Sequence, residues 1–258
     1  MTRALHRVGA AVLDATSAAG QLALLIARAL SASPRQEVRE VLRTVSRFGF
    51  GSLGLGLAVA AGTGSVIVLE TATYTVRFGA RDILGGMAGI SILREFGPLM
   101  VALVMAGWVG ASNAAEVGNL SLGGQLGSLR GLGVNPFEVV IAPRVWGTLF
   151  AMLALALVAD LAAVLGGAAS AQVVLGIPAD AFLRSFGAWL HPRDIAEGLL
   201  KSGSFALAIS LLSARAGLAT RGGARAVGQR VAQSVVHSIV AVLVLDLVLT
   251  ALVGGGLG

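Results

Sequence analysis

Residues Phe48–Leu69 read FGFGSLGLGLAVAAGTGSVIVL, twenty-two positions without a charge between Arg47 and Glu70. As an α-helix rising 1.5 Å per residue, this run covers about 33 Å, enough to cross the hydrocarbon core of a bilayer. In lipid such a segment must satisfy its own backbone hydrogen bonds, and a helix does so within one segment. The rest of the chain agrees: 56% of residues are hydrophobic and 12% charged, with a mean hydropathy of +0.86. Composition therefore predicts an all-α integral membrane protein.

Four more apolar runs follow the first. The second is Ile92–Ala115, carrying Arg94 and Glu95 early and Pro98 just after them. The third begins after Pro143-Arg144 and continues toward Ala171, the fourth covers about Ile195–Ala214, and the fifth Val231–Val253. Polar segments separate them: Arg77–Asp82, the stretch from Gly176-Ile177-Pro178 to Asp194, and a loop holding Arg215, Arg221, Arg225 and Arg230 with no acid among them. Residues of about 118–133 are too rich in glycine, serine and asparagine to span, and Asn135-Pro136 ends them, which predicts a short cytoplasmic helix and turn. Arginine-rich loops stay inside, so five spans place the N-terminus in the cytoplasm and the C-terminus outside.

Before the first span, Arg3, Arg7, Asp14, Ser17, Gln21 and Arg28 fall within an arc of about 80° on a helical wheel. That stripe favours a helix lying in the membrane surface over a further span between Arg7 and Arg28. Asp14 inside the apolar run, without a cleavage site after it, argues against a cleavable signal peptide. Arg35–Arg47 repeats the amphipathic pattern with Val38, Val41, Leu42 and Val45. The expected organisation is interfacial helices over 1–47 and a transmembrane domain over 48–258.

Several chemistries are excluded. The chain has no cysteine, and His6, His191 and His237 have no metal-ligand spacing. The net charge of +6 accompanies too much apolar sequence for a nucleic-acid partner and reads instead as membrane orientation. Gly118–Gly133 lacks the Gly-Lys-Ser/Thr ending of a phosphate-cradling loop, so any nucleotide must be held by another chain. Ser202, Ser204, His237 and Asp246 show no nucleophile and base spacing for an intramembrane enzyme. A proton-driven carrier could use Glu70, Glu95 and Asp246, but no inverted repeat accompanies them.

Ionisable groups inside spans are costly and point to a partner, a cavity or a substrate. Here they are Glu70, Arg94, Glu95, Asp160, Lys201 and Asp246. By helix rise, Asp246 lies about 24 Å from Arg230, Lys201 about 21 Å from Arg215, and Glu95 about 32 Å from Glu116. These depths, with Glu70 at the outer end of the first span, predict a polar rim in the outer half of the membrane. The expected ion pairs are Lys201 with Asp246, and Arg94 with Glu95 or Glu70. Gly51, Gly54 and Gly56, like Gly85 and Gly89, permit close helix approach. Glu116 and the apolar residues Leu122, Leu126 and Leu129, interleaved with Gln125 and Arg130, mark the inner segment as a docking element.

The motifs then point to one family. Leu93-Arg94-Glu95-Phe96-Gly97-Pro98, Ala106-Gly107 with Gly110, and Ala115-Glu116-Val117-Gly118 follow in order. After them come Gln125-Leu126-Gly127-Ser128-Leu129, Gly133-Val134-Asn135-Pro136 and Ala142-Pro143-Arg144. The C-terminal part adds Lys201-Ser202, Phe205-Ala206, Gly222-Gly223-Ala224, Val235-Val236-His237-Ser238 and Leu245-Asp246-Leu247-Val248-Leu249-Thr250. Over about residues 45–255 the chain resembles the MlaE/YrbE permeases of ABC transporters associated with MCE proteins. Gly124 stands where that family usually has glutamate, and Asn135 where it usually has aspartate.

The resemblance implies a permease homodimer that carries phospholipid between membranes. Inside it would meet two ABC ATP-binding subunits, which use ATP and Mg, and outside a ring of MCE-domain proteins. It implies that Glu70, Phe78, Arg94, Glu95, Lys201 and Asp246 contact lipid. It likewise implies that Glu116, Leu122, Gln125, Leu126, Leu129 and Arg130 couple to the ATPase, in a bacterial inner membrane.

Overall fold

A computed structural model describes residues 38–254. The expectation of a surface helix over residues 1–30 lies outside them. The described residues form helices joined by short turns, with no strand among them. We number the helices α1 (Val38–Arg77), α2 (Leu84–Ser91), α3 (Gly97–Leu122), α4 (Gln125–Gly131), α5 (Ala142–Leu175), α6 (Ala179–Trp189), α7 (Pro192–Leu218) and α8 (Ala224–Gly254). Five segments are long and apolar enough to cross a membrane: Val38–Thr75, Arg81–Leu122, Phe137–Leu175, Pro192–Leu218 and Ala224–Leu252. The five-span, all-α reading is therefore correct.

Two packed groups make the bundle. Helices α1 and α5 lie along each other, and α3, α7 and α8 form a second set that α3 and α7 join to the first. The α1–α5 seam is close because it lacks side chains where the backbones meet. A Cβ on Gly64 would overlap the Ala163 carbonyl, and one on Gly166 would overlap that of Ala61. Ser65 Oγ donates to the Gly166 carbonyl across the seam at 2.9 Å. In lipid, where no hydrophobic force drives helices together, such contact and hydrogen bonding hold the pair.

Several boundaries differ from the sequence reading. The arginine loop shrinks to residues 219–223, because Arg215 lies in α7 and Arg225 and Arg230 lie in α8, and the third span starts at Phe137, before Pro143. No break separates residues 38–47 from the first span, because α1 runs through them as one 40-residue helix. Phe48, at the expected junction, is buried, and Arg47 beside it is tied to Glu116 of α3, so the polar start of the helix is anchored to the bundle. The second span starts earlier than Ile92, with a 3-10 turn Arg81–Ile83, then α2 and a π turn Ile92–Phe96. The inner segment of about 118–133 is two pieces: its first residues finish α3, Gly124 turns the chain at φ +70°, and only Gln125–Gly131 is a separate helix. The positive φ suits a residue without a Cβ, which accounts for glycine at that position. Finally, the outer loop contains α6, whose Phe182, Phe186 and Trp189 repeat at helical spacing toward α2.

The two π turns share one cause. Ile92–Phe96 and Phe137–Ile141 each end two residues before a proline, Pro98 and Pro143. A proline within a continuous helix removes one backbone bond and crowds the carbonyl four residues earlier, and a widened turn relieves the clash. At the second turn Arg144 Nη1 donates to the Val140 carbonyl at 2.6 Å, which occupies an acceptor in the disturbed turn.

The seam gives the first test. Gly64→Leu must push α1 off α5, and overpacking of this kind costs about 1–3 kcal/mol. The expected outcome is a lower unfolding temperature in detergent, measured by intrinsic fluorescence, with Gly62→Leu, where open space faces the backbone, unaffected.

Candidate functional site

Arg94 and Glu95 sit in the first π turn and, as successive residues of a helix, point to different neighbours. Glu95 meets Lys201 of α7, Oε2 to Nζ at 2.5 Å. Lys201 Nζ also lies 3.2 Å from Asp246 Oδ1 of α8 and donates to Thr250 Oγ1 at 2.7 Å. The Thr250 hydroxyl donates in turn to Glu95, at 3.1 and 3.2 Å from its two oxygens. Lys201 thus forms ion pairs with Glu95 and Asp246 at once. Three spans thus converge on one ammonium.

Burial grades outward across this cluster. The Lys201 side chain is 5% exposed, that of Asp246 17% and that of Glu95 35%. The cation is enclosed while one carboxylate reaches an open side. Such an arrangement can hold a polar head group beside an apolar wall, because the carboxylates are not fully consumed by their shared lysine.

Arg94 forms a second cluster. Its Nε lies 2.6 Å from Asp194 Oδ1 and 3.4 Å from Glu197 Oε2, both on the first turns of α7. Asp194 is almost wholly buried and also accepts from the His191 amide at 2.8 Å, capping α7. Glu197 is shared with Arg193 at 2.7 Å. The expected pairing of Arg94 with Glu95 or Glu70 is therefore replaced: neighbours along a helix diverge, and Arg94 finds acids on α7 instead.

Lys201, Glu95 and Asp246 come together as the depth argument requires, and Arg94 stands next to them. Glu70 does not join them: it is exposed on α1 and makes no ion pair among the described residues. Phe78 lies just past the end of α1, 83% exposed and outside the cluster. Thr250, Asp194 and Glu197 were missed. Their signal was helical spacing, since Thr250 is one turn from Asp246 and Glu197 one turn from Lys201. Asp160 stands apart on α5, buried, with Oδ1 lacking a partner and packed against Gly97.

At the opposite end Glu116 pairs with Arg47 of α1 and, at 3.3 Å, with Arg144 of α5. Ser112 Oγ donates to the same carboxylate at 3.3 Å. Glu116 thus clamps three spans together rather than projecting from the protein. Leu126 of α4 also points inward: it is buried in a cluster with Val117, Ile141, Val145 and Leu211, with Leu129 half-buried beside it. Gln125 and Arg130 are exposed, Leu122 partly so, and Leu132, which the sequence reading passed over, is 78% exposed at the tip. Asn135 Oδ1 accepts from the Phe137 amide at 3.1 Å, a capping role that an aspartate would also fill.

Residues 41–252 match the family described as Permease MlaE. The chain belongs to the MlaE permease family. It is 30% identical over 226 residues to a probable ABC transporter permease protein of Rickettsia felis, covering 87% of each chain. It is 29% identical over 214 residues to the intermembrane phospholipid transport system permease protein MlaE of Haemophilus influenzae, covering 81% of each. The chloroplastic protein TRIGALACTOSYLDIACYLGLYCEROL 1 of Arabidopsis thaliana is 30% identical over 191 residues, 74% of this chain and 55% of that one. As an MlaE permease, the chain is a multi-pass membrane transport subunit.

The cluster gives a stability test for this MlaE permease. Lys201→Met leaves Glu95 and Asp246 without their shared cation, and breaking a buried pair costs about 3–5 kcal/mol, less where one partner is partly exposed as Glu95 is. A cost of about 2 kcal/mol is expected, read as a lower unfolding temperature. Adding Glu95→Gln and Asp246→Asn should recover most of it, and no recovery would show that packing rather than charge was lost.

Proposed function

We propose that this permease moves phospholipid between a bacterial inner membrane and an external conduit of MCE-domain proteins, powered by a separate ABC ATPase that holds ATP and Mg. The observation that carries the reading is the Lys201–Glu95–Asp246 cluster, partly open and set among apolar spans. A phospholipid needs this combination of a few polar groups and long apolar walls. The H. influenzae relative's description as a phospholipid transport permease supports it.

Charge distribution supports an orientation with the cluster outside. Arg39, Arg43, Arg47, Arg130, Arg144 and the four arginines of Arg215–Arg230 gather at one end of the bundle against Glu40, Glu116 and Glu138. The other end carries mixed charge, and the positive-inside rule makes the arginine end cytoplasmic. Gly258 is then external. The ATPase would meet the cytoplasmic end through the exposed face of α4 and the turn after it, with Gln125, Arg130 and Leu132 outermost and Glu116, Leu126 and Leu129 holding that surface in place. The exposed apolar face of α8, with Val240, Leu243 and Leu247, supports a second copy of the permease packing there.

Two measurements test this. Photocrosslinkers placed at Glu95, Thr250 and Asp246 in the complex should label phospholipid, while positions in the cytoplasmic half should not; labelling confined to the cytoplasmic half overturns the outer site. Leu132→Asp should reduce ATPase copurification several-fold without changing the permease's unfolding temperature. Leu126→Asp should instead lower that temperature, because it buries a charge in the cluster under α4.

A further inference from the structure

A second opening, of about 540 Å³, lies between the Arg81–Ile83 turn, α2 and α6, and shares no residue with the Lys201 cluster. Its base is apolar and fixed. Leu84 and Phe182 are each 1% exposed, and Ile177 and Ala181 line it beside them. The two walls cannot drift apart easily: the Ser185 hydroxyl of α6 donates to the Asp82 carbonyl at 2.6 Å and accepts from the Gly86 amide at 3.2 Å. The shape is therefore built into the fold.

The rim carries the chemistry. Arg81 and Asp82, adjacent and both exposed, line the opening, and neither side chain makes an ion pair among the described residues. Arg184 on the far rim is already held by Asp180 at 2.5 Å. What remains available is one guanidinium and one carboxylate over an apolar floor. A ligand matched to that set has a phosphate for Arg81, an amine for Asp82 and a hydrocarbon portion for the half-buried Ile177 and Ala181. A simple anion would leave Asp82 opposed to it, and a purely apolar molecule would leave both charges unused.

We propose that this groove binds the head group of an amine-bearing phospholipid of the phosphatidylethanolamine type, as a lateral site separate from the central cluster. The inference rests on the outward orientation and lipid cargo proposed above. A bilayer lipid can reach the groove because α6 and the 3-10 turn stand at the membrane surface in that orientation. The site would hold a lipid beside the bundle before it passes inward.

The test uses the full-length chain in dodecyl maltoside with a photoreactive side chain replacing Ala188, an exposed lining residue. Dioleoyl phosphatidylethanolamine, dioleoyl phosphatidylglycerol and dioleoylglycerol are offered at equal concentration. Labelling should favour the ethanolamine lipid, fall about tenfold with Arg81→Gln, and lose its preference over phosphatidylglycerol with Asp82→Asn. Equal labelling by dioleoylglycerol, or no change with Arg81→Gln, overturns the proposal, as does capture of protein alone when the experiment is repeated in membranes. The triple variant Lys201→Met, Glu95→Gln, Asp246→Asn, with its unfolding temperature largely restored, should leave Ala188 labelling intact; loss of labelling in that folded variant would show that the groove is not a separate site. If Ala188 labels while positions 95, 246 and 250 do not, the groove stands and the central lipid reading falls.

Discussion

An ammonium group inside a membrane span must be neutralised where it lies, and Lys201 sets that demand for the outer half of this bundle. Its charge is enclosed at 5% exposure, so water cannot solvate it, and the compensating carboxylates have to come from other helices. Glu95 reaches it from the second span and Asp246 from the fifth. The requirement fixes the rotation of α7 and α8 and the height at which the second span must open. Successive residues of a helix point about 100° apart, so Arg94 and Glu95 serve different partners, while Pro98 accounts for the π turn in which they sit. Arg94 serves the first turns of α7 and Glu95 serves its middle.

The opposite end of the bundle solves the same problem with the signs exchanged. There one carboxylate, Glu116, gathers two guanidiniums from α1 and α5. Being closer to water, these pairs are individually weak, and their importance is geometric, since they register three helix ends beneath α4. Pro143 repeats the role of Pro98, with a π turn before it and Arg144 filling a carbonyl there. Each end of the bundle thus combines a proline, a widened turn and a shared ion pair.

Much of this was legible because lipid imposes simple rules. Uncharged length gave the five spans of the described residues, and helix rise placed Lys201, Glu95 and Asp246 at one depth. Depth is not azimuth, however. Glu70 sits near the right height on α1 but faces away from the cluster, and the wheel alone could not say which side of α1 meets α5. The inner leucines misled for a similar reason: an apolar face on a short helix reads the same whether it docks onto a partner or onto its own bundle, and Leu126 does the latter. Helix α6 was missed because eleven residues with glycine and proline nearby look like a loop until Phe182, Phe186 and Trp189 are set on a wheel. The pairing of Arg94 with Asp194 escaped for the same reason, since depth does not say which neighbouring helix a side chain faces.

Helix α3 links the two ends directly. Glu116 stands near its C-terminus and the π turn directly precedes its N-terminus, so one 26-residue helix holds both the Glu116 clamp and the turn that presents Glu95. A π turn is a low-cost place for a helix to rewind, because its hydrogen bonds are already displaced from the α pattern. Rewinding by one residue would rotate Glu95 by about 100° and withdraw it from Lys201. Helix α3 therefore sets both the register of three spans at Glu116 and the position of Glu95 against Lys201, so the two ion clusters depend on one element.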